Sequence, residues 1–205
     1  MIIEGEIAMR RRPLKRIGLP ILMMGFMLLG VLGAYAQEPA QESKRFGFGF
    51  GFNIYRNMDS RFSGNGNLFL LTFKLSEDFD ISLLREEFKM NGSGVPSTGG
   101  KLDVDVHCAI TGIRVMRRIS NFLHIGIDLG NATYSNAIED SSLMAGFIAT
   151  MTAIQSQDKL FHTKLDFDIG YRILNTNKAN VFNNPNSPVT DLDSFVLGMN
   201  FKVLF

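Results

Sequence analysis

The sequence predicts an all-β chain: a cleavable signal peptide followed by an eight-stranded antiparallel up-and-down transmembrane β-barrel. Three observations lead there. The final segment alternates strictly, with Phe195, Leu197, Met199, Phe201, Val203 and Phe205 on one side and Val196, Gly198, Asn200, Lys202 and Leu204 on the other. A strand bordering water does not normally aim several phenylalanines at solvent, whereas a strand between lipid and a polar lumen takes both sides as written. The start of the chain is laid out as an export signal. Short and long connections alternate along the sequence, the pattern of transmembrane barrels.

The leader comes first. Arg10 to Arg16 is a basic n-region, Ile17 to Gly33 is apolar and uncharged, and Ala34-Tyr35-Ala36 is a small-x-small cleavage site before Gln37. The apolar run is near the lower length limit for a membrane anchor and is interrupted by Gly18, Pro20, Gly25, Gly30 and Gly33, which favours cleavage between Ala36 and Gln37 over anchoring. Glu4 and Glu6 are foreign to an n-region, so Met9 is a more usual start than Met1. Removing 36 of 205 residues leaves 169; it takes five of 21 basic and two of 20 acidic residues, so 16 basic and 18 acidic remain and the net charge is −2. That balance argues against a nucleic-acid partner. The single Cys108 excludes an internal disulfide. Residues 37–44 form a polar, flexible lead-in, and 45–205 form the barrel.

Eight segments carry a period of two. Arg45 to Arg56 sets Phe46, Phe48, Phe50, Phe52 and Ile54 against Gly47, Gly49, Gly51, Asn53 and Tyr55. Asn67 to Ser76 turns Phe69, Leu71, Phe73 and Leu75 outward and Lys74 inward. Asp78 to Met90 begins with Phe79, Ile81 and Leu83, then loses phase over Leu84 to Phe88, where a bulge is expected. Leu102 to Met116 sets Leu102, Val104, Val106, Cys108 and Ile110 toward lipid, against Asp103, Asp105, His107, Ala109 and Thr111. Phe122 to Asn131 sets Leu123, Ile125, Ile127 and Leu129 against His124, Gly126, Asp128 and Gly130. Ser142 to Gln155 reads either as a strand or as a helix with Leu143, Phe147 and Met151 on one side. Leu160 to Leu174 sets Phe161, Leu165, Phe167, Ile169 and Tyr171 against His162, Lys164, Asp166, Asp168 and Arg172. The eighth is the C-terminal strand.

Three connections are short: Glu77, Arg117 to Asn121, and Ser156 to Lys159. Four are long and rich in Gly, Asn, Ser and Pro: Asn57 to Gly66, Asn91 to Lys101, Ala132 to Ser141, and Asn175 to Asp191. Strict alternation requires the ambiguous sixth segment to be a strand, since bacterial single-chain barrels are even-numbered. The organisation resembles the small eight-stranded outer-membrane protein superfamily, typified by the OmpA transmembrane domain, OmpX and OmpW. Phe201, Val203 and the terminal Phe205 are similar to the assembly signal of such barrels, which implies recognition by the barrel-assembly machinery. The resemblance implies a bacterial outer-membrane address, a lipid environment and periplasmic termini. The chain departs from the pattern in having no Trp.

The expected lumen holds Lys74, Lys164, Arg172 and Lys202 with Asp103, Asp105, Asp128, Asp166 and Asp168, and His107 and His124 nearby. Charges in so narrow a tube must pair, because an unpaired buried charge costs several kcal/mol. A largely plugged lumen follows, with a narrow solute path as the alternative that the inward glycines leave open. Each His shares a strand side with a carboxylate, as period-two spacing produces in any polar lumen, and no complete catalytic constellation is visible. The Asp-x-Asp pairs lack calcium-loop spacing. The expectation is a non-enzymatic barrel without metal or cofactor, serving envelope integrity or contacting a surface ligand through loop residues such as Arg61, Phe62 and Tyr134. A membrane-embedded lipid hydrolase is the remaining alternative.

Overall fold

The computed structural model describes residues 45–58, 61–94, 99–136, 140–157, 160–174 and 192–205. The leader, its Ala36/Gln37 cleavage site and the lead-in lie outside the described residues. Eight strands run in chain order: β1 (Phe46–Asn57), β2 (Phe62–Lys74), β3 (Phe79–Gly94), β4 (Leu102–Arg118), β5 (Leu123–Asn136), β6 (Asp140–Gln157), β7 (His162–Leu174) and β8 (Ser194–Leu204). Each pairs antiparallel with the next, and β8 pairs with β1 to close the barrel. The Phe205 amide donates to the Phe46 carbonyl at 2.6 Å, extending the seam beyond the last paired residues.

The register fixes the shape. Paired residues trace one circuit from Phe46 through Phe73, Ile81, Val115, Ile127, Phe147, Tyr171 and Phe195 to Arg56. The circuit returns to β1 ten positions on (56 − 46 = 10), so the barrel has eight strands and a shear of ten. Strands in such a cylinder tilt by about 35–45°. Every side chain on this circuit before Arg56 is apolar or aromatic, and all point outward. Phe50 is 57% exposed and Ile169 61%. Neighbouring rings meet edge-on at Phe46–Phe73 and Tyr171–Phe195, both with centroids 5.4 Å apart. Water gives no reason for such a surface; hydrocarbon does.

The sixth segment is a strand, as the alternation of connections requires. Other expectations change. β3 keeps its phase throughout, with Leu84, Glu86, Phe88 and Met90 inward and Arg85, Glu87 and Lys89 outward. The irregularity lies in β6, where the register with β7 shifts between Thr152 and Ile154. The side assignment of β4 is inverted: Val104, Val106, Cys108 and Ile110 are buried inside the barrel, not against lipid. The connections also shrink, because strands continue into segments expected as loops. β2 begins at Phe62, β3 runs to Gly94 and β5 to Asn136.

The corrections to β3, to β4 and to the connections share one cause. Near the turns at 75–78 and 119–122 the outside is apolar and the inside polar, as a bilayer demands. Past Phe69, Leu83, Ile113 and Leu129, the outward positions of β2 to β5 become Asn67, Arg85, Thr111 and Asn131. There the inside turns apolar instead: Phe62, Met90, Val106 and Ile110 are each 0% exposed. The loop end of the barrel is therefore an ordinary water-facing β structure with a dry core. The turn end is its inverse.

Candidate functional site

The interior of the barrel is the candidate site. Its centre is built on β3, β4, β5 and β7, whose inward positions bring two arginines among three carboxylates. Arg114 grips Asp128 with two parallel bonds, Nε to Oδ1 at 2.7 Å and Nη2 to Oδ2 at 2.9 Å. Its Nη1 reaches Asp168 at 2.9 Å. Arg172 Nη2 donates to the same Asp128 at 3.0 Å, and its Nη1 donates to Tyr55 at 2.7 Å and pairs with Glu86. Tyr55 and Asn53, both from β1, donate to the other oxygen of Glu86. Thr150 donates to Asp168 at 2.6 Å.

All eight residues are buried, Arg114 and Arg172 at 1% exposure. Two cations against three carboxylates is an arrangement that holds only when each oxygen also receives hydrogen bonds, and here the hydroxyls and the Asn53 amide supply them. Above this layer, the Tyr55 ring stacks on Phe88 with centroids 4.1 Å apart, and the apolar loop-end core begins. Gly198 matters for closeness: a Cβ there would lie 2.0 Å from Asn53 Oδ1, so only glycine lets Asn53 reach the layer.

Toward the turn end the interior stays charged but is more open. Lys202 pairs with Asp166 at 2.8 Å, and Thr152 donates to Asp166 at 2.7 Å. Lys202 and Asp166 line a cavity of about 20 Å³ together with Asp80, His124 and Lys164. That is room for about one water. Lys74 lies at the same end, paired across the β2–β3 ladder with Asp80.

Of the residues expected in the lumen, the structure brings Asp128, Asp168 and Arg172 into the central layer. It brings Asp166, Lys164, Lys202, His124 and Lys74 to the turn end. Asp103, Asp105 and His107 face outward, because β4 has left the membrane at that height and its apolar side is the inner one. Tyr134 and Phe62, expected on exposed loops, are buried in the loop-end core at 2% and 0% exposure. Tyr134 lies 3.4 Å from the Ser142 hydroxyl, oxygen to oxygen. Arg114 and Glu86 were not expected. The signal for Arg114 was its place between Ile113 and Val115, whose outward sides leave it the lumen. Glu86 was hidden in the stretch read as out of phase. Among the described residues no group of three or more His, Cys, Asp or Glu is placed to hold a metal ion.

A closed antiparallel cylinder with an aromatic-rich outer belt and an ion-paired lumen is a transmembrane β-barrel, and with eight strands it has the fold of the small outer-membrane barrels. One known structure bears out that fold, and two more distant ones are similar. The outer-membrane protein OprG of Pseudomonas aeruginosa superposes with a TM-score of 0.57 at 13% identity, over 82% of this chain and 99% of that one. Ail of Yersinia pestis, solved in a phospholipid nanodisc, gives 0.45 at 11% identity, over 77% and 99%. AlkL, solved in lipid bilayers, gives 0.42 at 8% identity, over 84% and 97%. No protein-family model matches the sequence, and no curated protein matches it.

Proposed function

We propose that the chain is a non-enzymatic integral outer-membrane barrel with a closed lumen, serving envelope integrity or surface interaction. The observation that carries this reading is the continuous central layer Arg114–Asp128–Arg172–Glu86–Tyr55. It spans the interior between opposite walls, with an apolar core packed directly above it. A solute path would have to break at least one buried ion pair, at a cost of about 3–5 kcal/mol. The start of β1, the end of β8 and the short turns share one end, so export and C-terminal recognition would put that end in the periplasm and the loops outside. Partners in this reading are membrane lipid, the assembly machinery acting on Phe201, Val203 and Phe205, and a surface ligand at the loops. Single-channel recording in planar bilayers tests it. Purified barrel should show no steps above background; discrete, reproducible conductance would contradict the closed lumen and favour the narrow-channel alternative.

A further inference from the structure

The outer wall carries a groove of about 470 Å³ where the apolar belt ends on β2 to β5. Two adjacent rungs of the ladder make it. One runs from Phe52 through Asn67, Glu87 and Ala109 to Thr133. The next runs from Asn65 through Lys89 and His107 to Ser135. The rung below both, Phe69–Arg85–Thr111–Asn131, marks the belt's upper edge; there Arg85 is tied to Thr111 at 2.8 Å and to Glu87 at 2.6 Å. Glu87 is thus neutralised by Arg85. Among the described residues, Lys89 and His107 have no carboxylate within ion-pair distance.

The chemistry of this wall is amphiphilic in a directed way. Its upper part offers one ammonium, one imidazole and the uncharged polar groups Asn65, Asn67, Thr133 and Ser135. Its lower corner is Phe52, which continues down the wall through Phe50 and Phe48. A molecule matching it has an anionic, hydrogen-bonding head and hydrocarbon chains hanging below. We propose that this groove seats the phosphate-bearing headgroup of a lipid in the leaflet at the loop end, with Lys89 and His107 facing the phosphate and the acyl chains lying on the phenylalanine wall. The volume is in the range of built small-ligand sites. A juxtamembrane cation contributes about 1 kcal/mol toward an anionic lipid, roughly a fivefold preference.

The inference rests on the membrane-spanning reading, and the experiment separates the two. Full-length barrel is reconstituted in vesicles of phosphatidylcholine with an equal amount of phosphatidic acid. Flotation is scored first; protein that does not float with the vesicles overturns the membrane reading itself. For inserted protein, lipid retained after gentle extraction is counted by native mass spectrometry. The wild type should retain phosphatidic acid over phosphatidylcholine, and Lys89→Gln/His107→Gln should lower that ratio about fivefold. Lys101→Gln, an exposed lysine paired with Asp103 away from the groove, should leave the ratio unchanged. Equal retention of both lipids by the wild type, or an unaltered ratio in the double variant, overturns the proposal. Free inorganic phosphate should not displace the lipid; displacement at matched concentration would overturn the role of the acyl chains.

Discussion

Replacing Arg172 by Met keeps the length of the side chain and removes its charge from the middle of the barrel. The consequences for its two partners differ. Asp128 keeps the two parallel bonds from Arg114. Glu86 retains only the neutral donors Asn53 and Tyr55, and at 0% exposure it has no water to turn to. Loss of one partner of a buried pair costs about 3–5 kcal/mol, nearly all of it here from the stranded carboxylate. Adding Glu86→Gln removes the stranded charge while preserving an acceptor for Tyr55, so the double variant should recover at least about half of the loss. The assay is urea unfolding from lipid vesicles followed by circular dichroism, since the chain has no Trp to report. If Arg172→Met costs under about 1 kcal/mol, or if Glu86→Gln makes it worse, the reasoning from a desolvated, mutually dependent layer is wrong.

Other outcomes follow from the outer surface and the seam. Ile81→Arg, in the lipid belt on β3, should destabilise the barrel by about 2–4 kcal/mol in vesicles, whereas Asn65→Arg, above the belt, should cost about 0–1 kcal/mol; equal costs would deny the belt's edge. His107→Cys in a Cys108→Ser background should react with a polar maleimide in the folded protein, since β4 at that height turns its odd positions to water; an unreactive thiol at 107 would put that side in the lumen and restore lipid-facing Cys108. Phe205→Ala removes a ring that packs on Phe48 with centroids 5.9 Å apart at the closing seam. It should reduce the yield of assembled barrel in cells more than it lowers unfolding stability in vitro, and equal losses would reduce Phe205 to a packing residue.

The sequence was most legible where a strand stays inside one environment. β8 keeps an apolar outer side from end to end, and β1 and β7 do so apart from Arg56 and Thr163 at their ends, so alternation alone assigned both sides correctly, including inward Asp166, Asp168, Arg172 and Lys202. β4 was misread because its strongest alternation, Leu102 to Ile110, lies above the belt. There apolar means inside, and the rule that apolar residues touch lipid reverses. Reading β4 from its other end would have worked, because Ile113 and Val115 are the outward residues within the belt and put Arg114 in the lumen. β3 seemed to lose phase for the same reason: Leu83 faces lipid and Leu84 the core, so two adjacent leucines are each correct for their side. Tyr134 and Phe62 looked like loop aromatics because nothing local states that strands continue past the membrane. The central layer as a set was illegible, since which inward charges meet depends on register around the whole cylinder.

The change of environment along β3 is the most direct test of the account. Spin labels placed singly from Ile81 to Lys89, in barrels reconstituted in vesicles, can be probed for collision with oxygen in lipid and with a nickel chelate in water. The account predicts that 81 and 83 meet oxygen, 87 and 89 meet nickel, and 82, 84, 86 and 88 meet neither. Odd positions all open to nickel, or a one-residue shift of the alternation beyond 84, would contradict it.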